Sequence, residues 1–462
     1  MRNKISKVIA ALAFASCLAS CGESATSPMP EVVGEYAKKD ITQSDSTNEY
    51  NVYFDLSDGM LYAYEEATTK NALKSIINKI SENKNCKEVY TLKNNDIQKS
   101  DLRQTDLYNY ILDPKSYEKI APLENTLAKI VQDNQPAFIL TDFEEYVGGQ
   151  IQQQNYAKKY FIDWLNKGNR IVFYVVDYVE KGKNKHVYFT VFDTPSHSLL
   201  KDIDDAFKGT GANPKVFNLN NDCITLSNNY PAKNIGGSYH DAEKHQDIVG
   251  CLNEEGSGDC YTIYPELNAE YYPFQETWSN IVTNAKATSE EGNNPVFIHL
   301  ISGVSADFSN MDGYKVSELE IDVTDVQKDF DKFAGYYEYK KDNTQNVGED
   351  GNILPEFDYT KGPGAITPVH DMFKFTGNVN GKKADIAIDM QPHFNGKVAD
   401  MAMSDLIKVN VKISKCEPNY DALSALFEWD GNTSLVEAVK NTLQEHNPEG
   451  KVIYTYYIKA LE

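Results

Sequence analysis

Acidic and hydroxyl side chains follow two short apolar segments of this 462-residue chain. The first apolar segment starts at Val52 and has Asp55 and Ser57 at its end. The second apolar segment, Ala137–Leu140, is followed by Asp142. Carboxylate and hydroxyl oxygens are the ligands that hard divalent cations such as Mg²⁺ prefer. Adjacent strands lie about 4.8 Å apart, so tips of neighbouring strands reach one cation. The sequence therefore predicts a metal site at Asp55, Ser57 and Asp142, with additional oxygens from Asp58, Glu144 and Glu145.

Alternating strands and helices over residues 48–227 are expected to position these side chains. Helical spacing of apolar residues around Leu73–Ile80 and Leu123–Val131 predicts helices between the strands. A turn at Lys181–Lys185 predicts a hairpin extension into His186–Asp193. The pattern indicates an α/β domain with a doubly wound, mostly parallel sheet, in which ligands bind beyond the carboxyl ends of the strands. The predicted strands are Val52–Ser57, Glu88–Leu92, Ala137–Leu140, Ile171–Val176 and Lys215–Leu219.

The two polar tips resemble the metal-binding motifs of the von Willebrand factor A family. That family opens with a strand ending in Asp-x-Ser-x-Ser, which Asp55 and Ser57 match, and a later strand ends in Thr-Asp-Gly, which Thr141 and Asp142 match. The resemblance covers roughly residues 49–219. It implies a von Willebrand factor A-like domain whose divalent ion, often Mg²⁺, takes a carboxylate from a partner in its open position.

Three positions of this chain depart from the family pattern. Gly59 stands where the first motif has its second serine, and Phe143 stands where the late motif has glycine. Ala121 falls where the family has a metal-binding threonine. The resemblance therefore implies the fold more strongly than it implies a complete ion site.

Two other interpretations of the polar tips stay open. Aspartates after buried strands often cap turns or helices, because their oxygens accept free backbone N–H groups. With that role for Asp55 and Asp142, the protein is a structural or assembly component of the envelope without an ion site. Alternatively, an ion at the same edge makes the chain a metal-dependent hydrolase of phosphate or glycan esters.

The second half of the chain has a different pattern. Residues 228–294 are predicted to be a loop-rich connector. From residue 295 to 462, segments with strand periodicity dominate, and a helix is predicted at Ser434–Leu443 with Asn432 or Thr433 as its cap. These features predict a β-rich, sandwich-like second domain, with strands at Val296–Ser302, Glu318–Val323, Lys383–Asp389, Ile407–Ser414 and Lys451–Ile458.

Residues 1–20 have the features of an export signal. Arg2, Lys4 and Lys7 precede an apolar run that is too short to span a bilayer, and the run ends in Leu-Ala-Ser before Cys21. This order is similar to the lipobox of bacterial, Bacteroidetes-like lipoproteins. The resemblance implies a lipid anchor, including palmitate-type acyl chains, on Cys21. Residues 21–47, which are polar and lack an apolar period, are predicted to be a flexible tether.

Charge and cysteine content narrow the partners and the compartment. The formal net charge of −23 argues against nucleic acid as a partner, because its phosphates repel an acidic protein. Exported proteins form disulfides, and Cys251 and Cys260 are the best-spaced pair. We therefore expect a lipoprotein of the outer membrane, in its periplasmic or surface leaflet. Its partners are the membrane and a protein or surface ligand, and its role is that of a non-enzymatic binding module.

Overall fold

The computed structural model describes residues 29–39, 48–147, 150–151, 155–195, 198–228, 262–264, 268–274, 297–342, 373–390, 406–429 and 432–460. Ten α-helices lie in these ranges: α1 (Met29–Lys38), α2 (Asp58–Glu65), α3 (Ala67–Glu82), α4 (Gln104–Leu112), α5 (Leu123–Asp133), α6 (Ala157–Leu165), α7 (Ser198–Phe207), α8 (Gln327–Asp342), α9 (Leu423–Phe427) and α10 (Ser434–Glu445). A short 3-10 helix spans Pro114–Ser116. Within the same ranges, no helix is both long and apolar enough to cross a membrane.

Seven strands of the first half form one sheet in the order β3-β2-β1-β4-β8-β7-β9. Parallel pairing joins β1 to both β2 and β4. Strands β1, β2, β4 and β7 run in one direction, and β3, β8 and β9 run in the other. The predicted α/β class with a mostly parallel sheet is therefore confirmed. The strands are β1 (Tyr50–Asp55), β2 (Cys86–Lys93), β3 (Asp96–Ser100), β4 (Ala137–Thr141), β7 (Arg170–Glu180), β8 (Lys183–Asp193) and β9 (Lys215–Asn218).

The sheet is buried on both faces, which explains why its central strands are apolar throughout. On one face, Val52 and Phe54 pack with side chains of α2, α3, α4 and α7. On the other, Tyr53 and Ile139 pack with α5, α6 and residues of the second half of the chain. All six residues of β1 are buried, Asp55 included. The end of β1 therefore delivers a carboxylate into the protein interior.

The predicted hairpin of β7 and β8 is confirmed. Strand β8 pairs along its length with β7, pairs with β4 over Tyr188–Phe192, and so separates the two strands within the sheet. Its residues Tyr188, Phe189 and Val191 are buried, because an apolar strand is more stable inside the sheet than at its edge. The short strands β5 (Tyr146–Val147) and β6 (Gln150–Ile151) form a separate hairpin after β4.

The second half is β-rich, as predicted. One sheet has the order β10-β13-β17-β15 with β16 beside β17, and another has the order β11-β12-β19-β18-β14. The pairs are antiparallel except for β12 with β19. The strands are β10 (Thr225–Asn228), β11 (Thr262–Tyr264), β12 (Ala269–Phe274), β13 (Phe297–Asp307), β14 (Tyr314–Asp325), β15 (Phe373–Phe375), β16 (Asn378–Asn380), β17 (Lys383–Met390), β18 (Leu406–Pro418) and β19 (Val452–Ala460).

The predicted loop-rich connector, residues 228–294, is corrected where it is described. Its strand Ala269–Phe274 pairs with the last strand of the chain and is part of a sheet. The predicted disulfide partners Cys251 and Cys260 lie outside the described residues. The predicted cap of α10 is confirmed, since Asn432 Oδ1 accepts a hydrogen bond from Ser434 N at 2.9 Å.

The predicted flexible tether, residues 21–47, is also corrected in part. Helix α1 lies within it and buries Val32, Val33 and Tyr36 against α8 and β19. The Tyr36 hydroxyl donates to Asp329 Oδ2 at 2.7 Å, and Lys39 Nζ lies 2.5 Å from the same oxygen. Three apolar side chains on one helical face are enough to dock a short helix. Cys21 lies outside the described residues.

Candidate functional site

Asp55, the last residue of β1, and Asp142, the residue that follows β4, lie at the ends of adjacent parallel strands of the seven-stranded sheet. The register places Phe54 opposite Leu140, so β1 and β4 end side by side. Asp55 is fully buried and Asp142 is 1% exposed. This pairing places the ends of β1 and β4 side by side, as the predicted site requires, and the metal site itself stays a prediction.

The oxygens of Asp55 accept hydrogen bonds from both motifs. Oδ1 accepts from the backbone N–H of Ser57 at 2.8 Å, and Oδ2 accepts from the Thr141 hydroxyl at 2.6 Å. Asp142 Oδ1 accepts from Glu144 N at 3.0 Å. Ser57 itself is buried beside these groups. The two tips therefore bring five oxygen-bearing residues to the same end of the sheet: Asp55, Ser57, Thr141, Asp142 and Glu144.

Gly59 lets Asp142 approach the first turn of α2. A Cβ atom at Gly59 would lie 3.0 Å from Asp142 Oδ2 and 3.8 Å from Glu180 Oε2. Any larger residue therefore requires the Asp142 carboxylate to shift. Glu180, at the end of β7, also faces this point, which the sequence pattern did not indicate.

Phe143 links the site to the core through an unusual backbone conformation. Its φ angle is +57°, a value that glycine adopts easily and that costs a bulky residue free energy. The ring is 1% exposed and contacts Phe161, Phe173 and Tyr188 in edge-on geometry. Burial of the aromatic ring offsets the backbone strain and fixes the direction of the loop that carries Asp142.

The three additional acids predicted around the site have different environments. Asp58 is exposed at the first residue of α2. Glu145 Oε2 accepts hydrogen bonds from Leu123 N at 2.7 Å and Glu124 N at 3.0 Å, so it caps the N-terminus of α5. Only Glu144 joins Asp55 and Asp142 in the buried cluster.

Glu144 connects its own loop, which follows β4, to two segments that are distant along the chain. Its Oε1 accepts from Lys185 Nζ at 2.7 Å and from Trp429 Nε1 at 2.8 Å, and its Oε2 accepts from the Tyr146 hydroxyl at 3.1 Å. Lys185 Nζ also lies 2.6 Å from Glu180 Oε2. Lys185 and Trp429 were not recognised from the sequence, because their roles depend on contacts between residues far apart along the chain.

The carboxylates are costly to ionise. Burial raises the pKa of Asp55 to about 6, against opposing hydrogen bonds from Thr141 and Ser57. Burial, with the neighbouring charges of Glu144 and Asp55, raises the pKa of Asp142 well above its usual range. A raised acid pKa stabilises the fold below the unfolded value, and this contribution is lost as pH rises through the folded value. At neutral pH the folded cluster therefore binds more protons than the unfolded chain does, and stability is expected to fall as pH rises through the folded pKa values.

Among the described residues, no three histidine, cysteine, aspartate or glutamate side chains are arranged to hold a metal ion. This statement concerns those four residue types alone, whereas the predicted site also includes the hydroxyl oxygens of serine and threonine. No protein-family model, curated protein or solved structure significantly matches the chain.

Proposed function

We propose that this chain is an exported lipoprotein, anchored to the outer membrane through lipid on Cys21. Its folded part acts as a binding module for a protein or surface ligand. The proposal for the anchor rests on the basic residues, the short apolar run and the Leu-Ala-Ser-Cys sequence at positions 18–21.

The binding role is proposed for the rim formed by Asp55, Ser57 and Asp142. The observation that carries it is the adjacency of the two buried acidic tips on β1 and β4. A von Willebrand factor A-like domain also needs glycine-like backbone geometry after the late aspartate, and Phe143 has that geometry. Both observations support the resemblance to the von Willebrand factor A family at positions where the residue types alone did not decide it.

The donor set is suited to a hard divalent cation such as Mg²⁺. Asp55, Ser57 and Asp142 would hold it, together with the Thr141 hydroxyl. All their donor atoms are oxygens, and burial together with mutual repulsion makes the two aspartates costly to ionise without an added cation. The ion would supply a coordination position for a carboxylate of the partner.

A calorimetric titration with MgCl₂, MnCl₂ and CaCl₂ tests the proposed site. We expect the full-length chain in detergent micelles to bind at least one of these ions, and Asp142→Asn to weaken binding by about tenfold or more, since a ligand charge is lost. Asp96→Asn removes the same charge at the exposed start of β3 and should bind as the unaltered chain does. The proposed ion site is wrong if the unaltered chain binds none of the three ions, or if Asp142→Asn binds them as tightly as the unaltered chain does.

A structural or assembly role without an ion is the second candidate. It is favoured by the protein donors that already contact the acids: Ser57 N and the Thr141 hydroxyl on Asp55, and Lys185 on Glu144. In that case the titrations are silent for all three cations. The hydrolase alternative requires ion binding first and then turnover of generic phosphoester or glycan-ester substrates.

The lipid anchor is tested separately with two cysteines of the leader region. We expect Cys21→Ser to move the protein from the detergent-rich to the aqueous phase in detergent phase partition of cell extracts, because the acylated thiol is lost. Cys17→Ser is the matched control, since it changes a cysteine four residues earlier that the lipobox does not use. Equal partition of both variants would contradict the proposed anchor.

A further inference from the structure

Lys185 is the cation nearest to the buried acids at the rim. Its side chain is 11% exposed, and its ammonium lies between Glu144 Oε1 at 2.7 Å and Glu180 Oε2 at 2.6 Å. It also acts electrostatically on Asp142. Burial alone would favour the neutral amine, and the two glutamates reverse that preference and raise the pKa of Lys185. Glu144 and Glu180, which lie at the rim, therefore keep the Lys185 amine protonated.

The β7–β8 hairpin carries Lys185 to the rim. Its two-residue turn, Lys181 and Gly182, has positive φ angles of 48° and 82°, as in the tight turns that suit twisted strands. Both turn residues are exposed, and Glu180 pairs with Lys183 at the end of the ladder. Lys185 thus lies opposite Tyr178, two pairs further from the turn than Glu180 and Lys183.

An unpaired hydroxyl independently indicates that the cluster is suited to another occupant. Tyr178, on β7, is 2% exposed, and its hydroxyl has no hydrogen-bond partner among the described residues. Burial, followed by the charges of Asp142, Glu144 and Glu180, raises the pKa of Tyr178. A buried donor without a partner costs free energy. An oxygen introduced with a hydrated cation would satisfy it.

We propose that Lys185 is a tethered competitor for the ion site, so that a divalent cation binds only when the ammonium leaves Glu144 and Glu180. This inference rests on the proposed ion site. It adds a control element to that site, because the Lys185 ammonium and an ion compete to neutralise the same group of acids.

The test compares Lys185→Met with Lys183→Met in the full-length chain. Methionine keeps the length of the side chain and removes the charge. Because competition lowers apparent affinity in proportion to the accessible fraction, we expect Lys185→Met to bind Ca²⁺ or Mn²⁺ about tenfold tighter or more. Lys183 is exposed on the same strand, and Lys183→Met changes net charge equally. It should bind as the unaltered chain does.

Each calorimetric outcome has a distinct meaning. Tighter binding confined to Lys185→Met supports the competitor. Equal binding of the cation by the unaltered chain and by Lys185→Met overturns the proposed competition but does not contradict the ion site. Absence of binding in both chains overturns the competitor together with the ion site. A similar increase in both lysine variants assigns the effect to bulk charge and also overturns the competitor.

The unaltered protein provides a second measurement if Lys185→Met fails to fold. Labelling of individual lysines by an amine-reactive reagent, read by peptide mass spectrometry, is compared with and without 5 to 20 mM MnCl₂, roughly the range that a weak site needs. We expect the labelling rate of Lys185 to rise several-fold with Mn²⁺, while that of Lys183 stays constant. An unchanged rate at Lys185 would overturn the proposal.

Discussion

Replacement of Glu144 with alanine is expected to lower the free energy of unfolding by about 3 kcal/mol. The carboxylate is 5% exposed and accepts from Lys185, Trp429 and Tyr146. Its removal leaves the Trp429 N–H and one face of the Lys185 ammonium without an acceptor, and buried groups left unpaired are destabilising. We expect a loss of unfolding free energy at the low end of the range for broken buried ion pairs, because loss of Glu144 also relieves its repulsion of Asp142.

Glu144→Gln is the matched variant for this prediction. The amide oxygen can still accept a hydrogen bond, while the charge is lost, so we expect less than half the destabilisation of Glu144→Ala. Chemical denaturation followed by far-ultraviolet circular dichroism measures both values. Equal midpoints for the alanine variant and the unaltered chain would show that Glu144 does not hold these segments together.

The acidic tips were predictable because local signals and a general rule of sheet architecture agree there. Both strands are continuously apolar and end in polar residues, and parallel strands place such ends at one rim. That β1 lies beside β4 was a condition of the prediction, and the pairing comes from the structure. The metal ion, the lipid anchor and the partner stay predictions.

Elements with weak apolar periodicity were missed. Strand β3 is polar because it lies at the sheet edge, where alternate residues face solvent. Helix α1, which lies within the predicted tether, was missed because only Val32, Val33 and Tyr36 mark its buried face. Its stabilising contacts come from distant parts of the chain, which local patterns do not report, whereas β3 pairs with the neighbouring strand β2.

The missed residues of the site have the same explanation. Lys185 follows a turn rich in lysine, so its sequence context is that of a solvated hairpin. Its buried position depends on the β7–β8 register and on Glu144, 41 residues earlier. Trp429 contacts Glu144 across 285 residues. Such long-range contacts are set by the packing of the two halves of the chain, which a single sequence does not reveal.

The packing between the halves depends strongly on Phe427, at the end of α9. Its fully buried ring contacts Phe173 and Phe217 edge-on, with ring centroids 5.1 Å apart, and stacks on Tyr188 at 5.8 Å. These three partners lie on β7, β9 and β8 of the seven-stranded sheet. The Tyr188 hydroxyl also donates to Leu426 O at 2.8 Å. The first and second halves thus share one apolar core at this point.

Phe427→Ala is therefore expected to destabilise the protein by about 3 to 5 kcal/mol, the cost of removing a buried aromatic ring and leaving a cavity. Because the lost ring joins the halves, we also expect the unaltered chain to unfold in one calorimetric transition and Phe427→Ala to unfold in two. Tyr420→Ala, which removes a 45% exposed ring from the preceding segment, should stay within about 0.5 kcal/mol of the unaltered chain. Were Phe427→Ala to unfold in one transition at the Tyr420→Ala midpoint, the shared core would not couple the halves.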